Sequence, residues 1–276
     1  MTSATVAADT ESRAPKRASR PQAQRADRRT EKMIYGSISV IVLLAMWELL
    51  TALKIEPSIL LPSPLEVVRA LGDMFASPTI WLDLGASGGE LLYGFLLAAV
   101  VGIVVGLAIG WYRRVGYVLD PFVNFLYAVP RIALFPLLII WLGIGLTSKI
   151  ALVFLVAVFP VLISTSSGIR SLDPQYLRTA ICFGASDLQI FRTVALPGSI
   201  PFILSGIRLA VGQCLIGVFV AELLGAQHGI GMLMTTAGDQ FQTATVFAGL
   251  LIFAVAGVLL TALVRRVERH FDAWRL

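Results

Sequence analysis

Four ionisable residues within otherwise apolar stretches are candidate path residues: Glu48, Arg131, Arg208 and Glu222. A charge in such surroundings is expensive, and side chains of this kind mark solute or ion paths by default. Arg131 follows Pro130 in the middle of its run, where it can steer an anion or satisfy freed backbone carbonyls. Arg208 lies ~10 Å past the start of its run at 1.5 Å per residue, as a path residue or as a structural partner of a nearby loop. Glu222 precedes Gly225 and a loop holding Gly229 and Gly231, so it either meets a partner and shapes a gate or caps structure there. No catalytic constellation accompanies these four. The two cysteines, Cys182 and Cys214, and the two histidines, His228 and His270, form no metal-ligand spacing, and no nucleophile has an evident base. Gly143 and Gly145 before Lys149 lack the spacing of a phosphate-binding loop, so no nucleotide site is expected on this chain.

The elements that must position these residues follow from composition. The 276 residues are 57% hydrophobic and 14% charged, with a mean hydropathy of +0.82. A soluble domain carries about 25% charged residues, so this composition excludes a cytosolic enzyme and a nucleic-acid binder despite the net charge of +5. Six apolar runs, at Ile34–Leu53, Ser87–Trp111, Val118–Leu142, Ile150–Gly168, Pro201–Leu223 and Thr243–Val264, approach or exceed the length that crosses a bilayer as a helix. The third is interrupted by Pro130 and Pro136. No segment alternates with period two, which excludes an all-β fold. The expected fold is an all-α polytopic membrane protein with six transmembrane helices.

Residues 1–32 read as a disordered basic cytoplasmic tail, and 33–276 as the transmembrane domain. The tail is too long and too charged for the start of a cleaved signal peptide. Placing it inside puts most of the 22 Lys and Arg on that side. Only Lys54, Arg69 and Lys149 fall outside, and Arg131 and Arg208 fall within runs. Positive residues favour the cytoplasmic side, so both termini are expected there. Contact with anionic lipid is expected as well.

Three segments do more than span. Ser63, Pro64 and Glu66 form a capping box ahead of Val67, Val68, Leu71, Met74 and Phe75, which predicts an amphipathic helix in the outer interface. Gly94, Gly102, Gly106 and Gly110 lie in the second run, the last three on one helical face, which predicts close internal helix packing rather than dimerisation. The segment 169–201 is far longer than a hairpin needs. Asp173 and Pro174 start a short helix with Tyr176, Leu177, Ala180 and Ile181 on its apolar face, and Gly184 ends it. Ser186 to Gln189 starts a second, carrying Ile190, Phe191 and Val194, which Leu196-Pro197 is expected to end. Such a knob must pack on its own spans or on a partner.

This loop resembles the EAA motif of binding-protein-dependent ABC importer permeases. Arg178-Thr179-Ala180 stands at the first triplet, Gly184 at the motif glycine, and Val194-Ala195-Leu196-Pro197 at its close. The resemblance extends through Phe183-Gly184-Ala185-Ser186, Leu61-Pro62-Ser63-Pro64, Trp141-Leu142-Gly143-Ile144-Gly145, Ala221-Glu222-Leu223-Leu224-Gly225-Ala226 and Val246-Phe247-Ala248-Gly249-Leu250. It covers nearly all the chain after residue 33 and points to the branch handling nitrate, alkanesulfonates, taurine and bicarbonate. It implies a type I ABC importer permease architecture in the bacterial inner membrane. Two ABC ATPase subunits would carry ATP and Mg, a second copy of this permease would complete the path, and an extracytoplasmic solute-binding protein would deliver a small solute. Arg178, Thr179, Ala180, Phe183, Gly184, Ala185, Ser186, Ile190, Phe191, Val194, Leu196 and Pro197 would form the ATPase-coupling segment, and the third to fifth spans would line the path. Arg178 replaces the motif's Glu and Thr179 its first Ala, so a docking charge has changed sign. Glu90 departs from the expected basic or neutral residue.

Two rival readings are weaker. A self-contained secondary transporter or channel would show paired broken spans and a midplane acidic relay, and it leaves the knob without a purpose. An intramembrane enzyme would need the missing nucleophile or metal cluster.

Overall fold

The computed structural model describes residues 22–53, 57, 59–225 and 227–271. Among them the backbone is helices and connecting turns, with no strand. The order is α1 (Gln22–Ala52), α2 (Pro64–Ala76), α3 (Ile80–Trp111), α4 (Arg113–Ala128), α5 (Phe135–Leu142), α6 (Leu146–Arg170), α7 (Pro174–Cys182), α8 (Asp187–Ile190), α9 (Leu196–Gly225), α10 (Ile230–Asp239) and α11 (Thr243–Phe271). Most of the expected tail (residues 1–21), Lys54, Ala226 and Arg275 lie outside the described residues. The helix of the first run begins at Gln22, so residues 22–32 continue it rather than forming tail.

Among the described residues five helices are long and apolar enough to cross a membrane singly, and α4 with residues 131–142, bent by 89° at the break, makes a sixth if the pair is one span. The bend falls at Pro130. Proline disfavours the α region in the residue before it, and Val129 accordingly turns extended, at φ −69° and ψ 136°. One 3₁₀ turn, Arg131–Leu134, then leads into α5, where Pro136 sits in the first turn and starts the helix instead of breaking it.

The core is the layer where α3, α6 and α9 meet, around Ala98, Val153, Ala157, Val161, Ala210, Cys214 and Val218. The α3 glycines explain the closeness. A Cβ built at Gly94 would lie 2.5 Å from Val153, one at Gly102 2.8 Å from Val161, one at Gly106 2.7 Å from Thr165 and one at Gly110 2.7 Å from Ile169. The partner numbers rise with the glycine numbers, so α3 and α6 run parallel. The small face is spent inside the chain, as its spacing predicts. α9 runs the other way, with Gly206 against Ser164 and Gly217 against Val156. The bundle therefore has two ends: a knob end, with Trp111, Arg170 and Leu196, and a polar end, with Ile80, Leu146 and Gly225.

The predicted α2 forms with its capping box. Glu66 N–H donates to Ser63 Oγ at 3.2 Å, and Ser63 N–H donates to Glu66 Oε2 at 2.8 Å. Its Val67 and Met74 pack on Ile80, Ile230, Met234 and Ala248, so α2 seals the polar end of the bundle while Leu65, Val68 and Phe75 stay exposed. α1 lies at the margin, where Trp47 donates to Pro62 O at 3.0 Å and its ring meets Phe247.

Two further expectations are corrected. Leu196-Pro197 ends no helix: α8 runs through a π turn, Phe191–Ala195, into α9 as one 39-residue helix. The proline lacks an N–H and its ring crowds the carbonyl four residues back. The wider turn, in which Leu196 N–H reaches Phe191 O, relieves that crowding. Lys149, expected in an outer loop, is instead in the first turn of α6 and buried.

Candidate functional site

The knob is built by three local devices. Asp173 Oδ1 accepts from Gln175 N–H at 2.8 Å and starts α7. α7 ends in a Schellman motif: Gly184 N–H donates to Ile181 O at 2.9 Å and Ala185 N–H to Ala180 O at 3.1 Å. The motif requires a left-handed residue, and Gly184 has φ +75°. A Cβ there would meet nothing within 4 Å, so conformation alone asks for glycine. Ser186 then opens α8: Ser186 N–H donates to Gln189 Oε1 at 2.8 Å, and Gln189 N–H to Ser186 Oγ at 3.4 Å.

This frame divides the segment's apolar residues. Ile190 is buried, and the half-buried Phe191 meets Trp111 edge-on at 5.3 Å, so these two seat the knob on its own bundle. Phe183 is 87% exposed, and Tyr176, Ile181 and Leu188 join it on the outside. Arg178, Thr179 and Ser186 are exposed, while Ala180, Ala185, Val194, Leu196 and Pro197 are half-buried. A groove of about 1070 Å³ runs between α7 and the start of α9, lined by Tyr176, Thr179, Ala180, Val194, Pro197 and Phe202. Beside it, Arg170 Nη2 donates to both Asp120 oxygens at 2.8 and 3.0 Å, tying α4 to α6.

The four charges singled out in the apolar runs are not brought together. The half-buried Arg131 lies over the rings of Tyr127 at 4.9 Å and Phe159 at 5.4 Å. Its Nη1 reaches Val156 O at 3.5 Å. That carbonyl is the one Pro160, four residues on, cannot bond, so the guanidinium covers a gap left by a proline in α6. Arg208 pairs with Glu268, linking α9 to α11. Glu48 is exposed on α1.

Glu222 is fully buried at the polar end and forms the centre of a cluster the sequence did not announce. Its Oε1 accepts from Ser87 Oγ at 2.5 Å and its Oε2 from Gly231 N–H at 2.6 Å. Ser87 Oγ accepts from Ile230 N–H at 3.0 Å, and Asp83 Oδ1 accepts from Gly229 N–H at 2.9 Å. The successive N–H groups of residues 229, 230 and 231, left open at the start of α10, are thus satisfied by side chains of α3 and α9. Two carboxylates also face the positive end of that helix. A Cβ at Gly229 would lie 2.2 Å from Glu222 Oε1, so the carboxylate can approach only a glycine there. One turn deeper, Lys149 Nζ meets Glu90 Oε1 at 2.5 Å, which accounts for the unexpected Glu90. The signal was available: Asp83, Ser87, Glu90 and Gly94 follow at i, i+4, i+7 and i+11, one face of α3. Their partners, 59 to 146 residues away, were not.

A model of the family described as "binding-protein-dependent transport system inner membrane component" matches residues 98–273. The permease protein named SsuC for aliphatic sulfonates transport in Bacillus subtilis (strain 168) is 37% identical over 240 residues, 87% of each chain. The taurine transport system permease protein TauC of Escherichia coli (strain K12) is 34% identical, over 86% of this chain and 88% of its own. In fold, the chain is similar to one in the MetNI methionine ABC transporter in its inward-facing conformations. The TM-score is 0.57 at 18% identity, covering 72% of this chain and 99% of that one.

Proposed function

This chain belongs to the family of binding-protein-dependent transport system inner membrane components, and from that premise we propose how its parts divide the work. It is the permease subunit of an ABC importer, a multi-pass inner-membrane protein and a transport subunit rather than an enzyme. The knob is the surface on which a separate ATPase, carrying ATP and Mg, acts. One observation carries this: Phe183, a large apolar side chain, stands 87% exposed at the tip of a turn fixed by caps on both sides. A rigid apolar tip fits into a partner's pocket with little ordering cost. Ile190, Phe191 and Trp111 pass its displacement to α9 and α3.

Two ATPase copies and a second permease, related by a twofold axis, complete the path. The knob end and both termini face the cytoplasm, since the basic residues gather there. The polar end faces a solute-binding protein outside. The solute is a small anion of the sulfonate kind, supported by relatives named for aliphatic sulfonates and taurine.

The test is Gly184→Asp in the assembled importer. Asp is one of the few residues that tolerate the left-handed region, and the space around Gly184 is open, so the strain stays local and the chain should insert normally while a charge beside Phe183 disrupts docking. ATP hydrolysis should no longer drive uptake. Full transport by this variant overturns the reading. Ligand screening of the cognate binding protein identifies the solute, and failure of every sulfonate to bind removes the substrate proposal.

A further inference from the structure

A second groove lies on the outer face of the bundle between α9 and α11. Its volume is about 680 Å³, and its lining includes Val211, Gly212 and Leu215 of α9 and Ala254, Gly257 and Val258 of α11. It ends at Arg265, Arg266 and Arg269, all exposed. We infer that this groove binds one anionic glycerophospholipid, its phosphate held by the three arginines and an acyl chain laid along the glycine-lined floor.

Three observations carry this. The first is charge. Glu268, the carboxylate nearest in sequence, is already paired with Arg208, and among the described residues none of the three arginines makes a salt bridge. A guanidinium cluster beside an apolar wall suits a phosphate, the planar donors of Arg matching its oxygens. The second is shape. A Cβ at Gly212 would meet nothing within 4 Å, so the floor is open there, whereas the space over Gly257 is taken by the Leu215 side chain, which forms the wall. The third is length. From Arg265 to Ala254 is eleven residues of helix, about 16 Å at 1.5 Å per residue, close to half of a bilayer core of about 30 Å. A lipid with its phosphate at Arg265 therefore has its chain end near Ala254, at mid-depth. A free phosphate would use the arginines but leave the groove empty.

Each juxtamembrane basic residue strengthens attraction to an anionic lipid roughly fivefold, so the trio gives the groove a clear preference over zwitterionic lipid. The test is native mass spectrometry of the full chain in detergent, titrated with dioleoylphosphatidylglycerol or dioleoylphosphatidylcholine. One phosphatidylglycerol per chain should be retained, at least tenfold better than phosphatidylcholine. Changing Arg265, Arg266 and Arg269 together to Gln should lower retention more than tenfold, and changing them to Lys should restore part of it. Gly212→Leu keeps every charge and fills the floor, so it should also abolish retention, with circular dichroism confirming an unchanged helix content. Equal retention of the two lipids overturns the site. So does displacement by millimolar glycerol phosphate, which marks a phosphate site without a lipid groove. A shift of Gly212→Leu from dimer to monomer, with no lipid retained by the parent chain, assigns the groove to a second copy instead and likewise overturns the proposal.

Discussion

The two ends of the bundle are stabilised in opposite ways. At the knob end, each turn is closed by residues that are sequence neighbours: Asp173 with Gln175, Gly184 with Ile181, Ser186 with Gln189. At the polar end, the buried cluster is held chiefly by bonds between residues far apart in the chain: Ser87 with Glu222, Asp83 with Gly229, Lys149 with Glu90. The first arrangement makes a stiff, self-sufficient feature that can stand out from the protein and be pushed. The second locks three helices and α10 together and exposes little. In the proposed coupling role the knob receives force and needs to hold its own shape, whereas a part that closes a bundle needs to hold others.

Breaking the polar end should cost most. Lys149→Met leaves Glu90 as a buried charge without its partner, and losing one side of a buried pair costs about 3–5 kcal/mol. The Lys149→Met, Glu90→Leu double variant should recover most of that. Denaturant titration in detergent, followed by circular dichroism, measures both. A double variant no better than the single one would show that the pair is not the unit of stability. Gly229→Ala drives a methyl group into the Glu222 carboxylate and should cost about 1–3 kcal/mol, as overpacking does. Its loss should appear first as faster amide exchange in α10.

The knob should respond more mildly. Ser186→Ala removes one cap and costs about 1 kcal/mol, seen as a small drop in the same titration. Phe183→Ala should leave stability unchanged, because the side chain touches so little of its own protein, yet reduce ATP-driven uptake. If Phe183→Ala destabilises the isolated chain as much as Gly229→Ala does, the contrast between the two ends fails.

This contrast also explains what could be read from the sequence. The caps at Ser63, Asp173 and Ser186, the left-handed turn at Gly184, the packing face of Gly102 to Gly110 and the break at Pro130 all follow from local stereochemistry, and each is visible within a few residues. The π turn at Phe191–Ala195 was missed because a proline at the head of a long apolar run reads as a stop unless the preceding turn is known to widen. The buried cluster was missed because Lys149 and Glu90 are 59 residues apart, and only the parallel seating of α3 on α6 brings them together. Arg131 shows the same limit: its carbonyl partner is orphaned by Pro160 in another helix, not by its own neighbour Pro130.

The seating of α3 has a mechanical consequence. Of the three core helices, α6 contains Pro160 and α9 contains Pro201, while α3 runs its 32 residues without a proline. At 1.5 Å per residue it is about 48 Å long. Trp111 at one tip touches the knob, and Asp83, one turn from the other tip, holds the start of α10. The knob and the α10 cluster are thus joined by a single proline-free helix, and its Ser87-Gly88-Gly89 stretch, where such a helix can bend, lies beside the cluster itself.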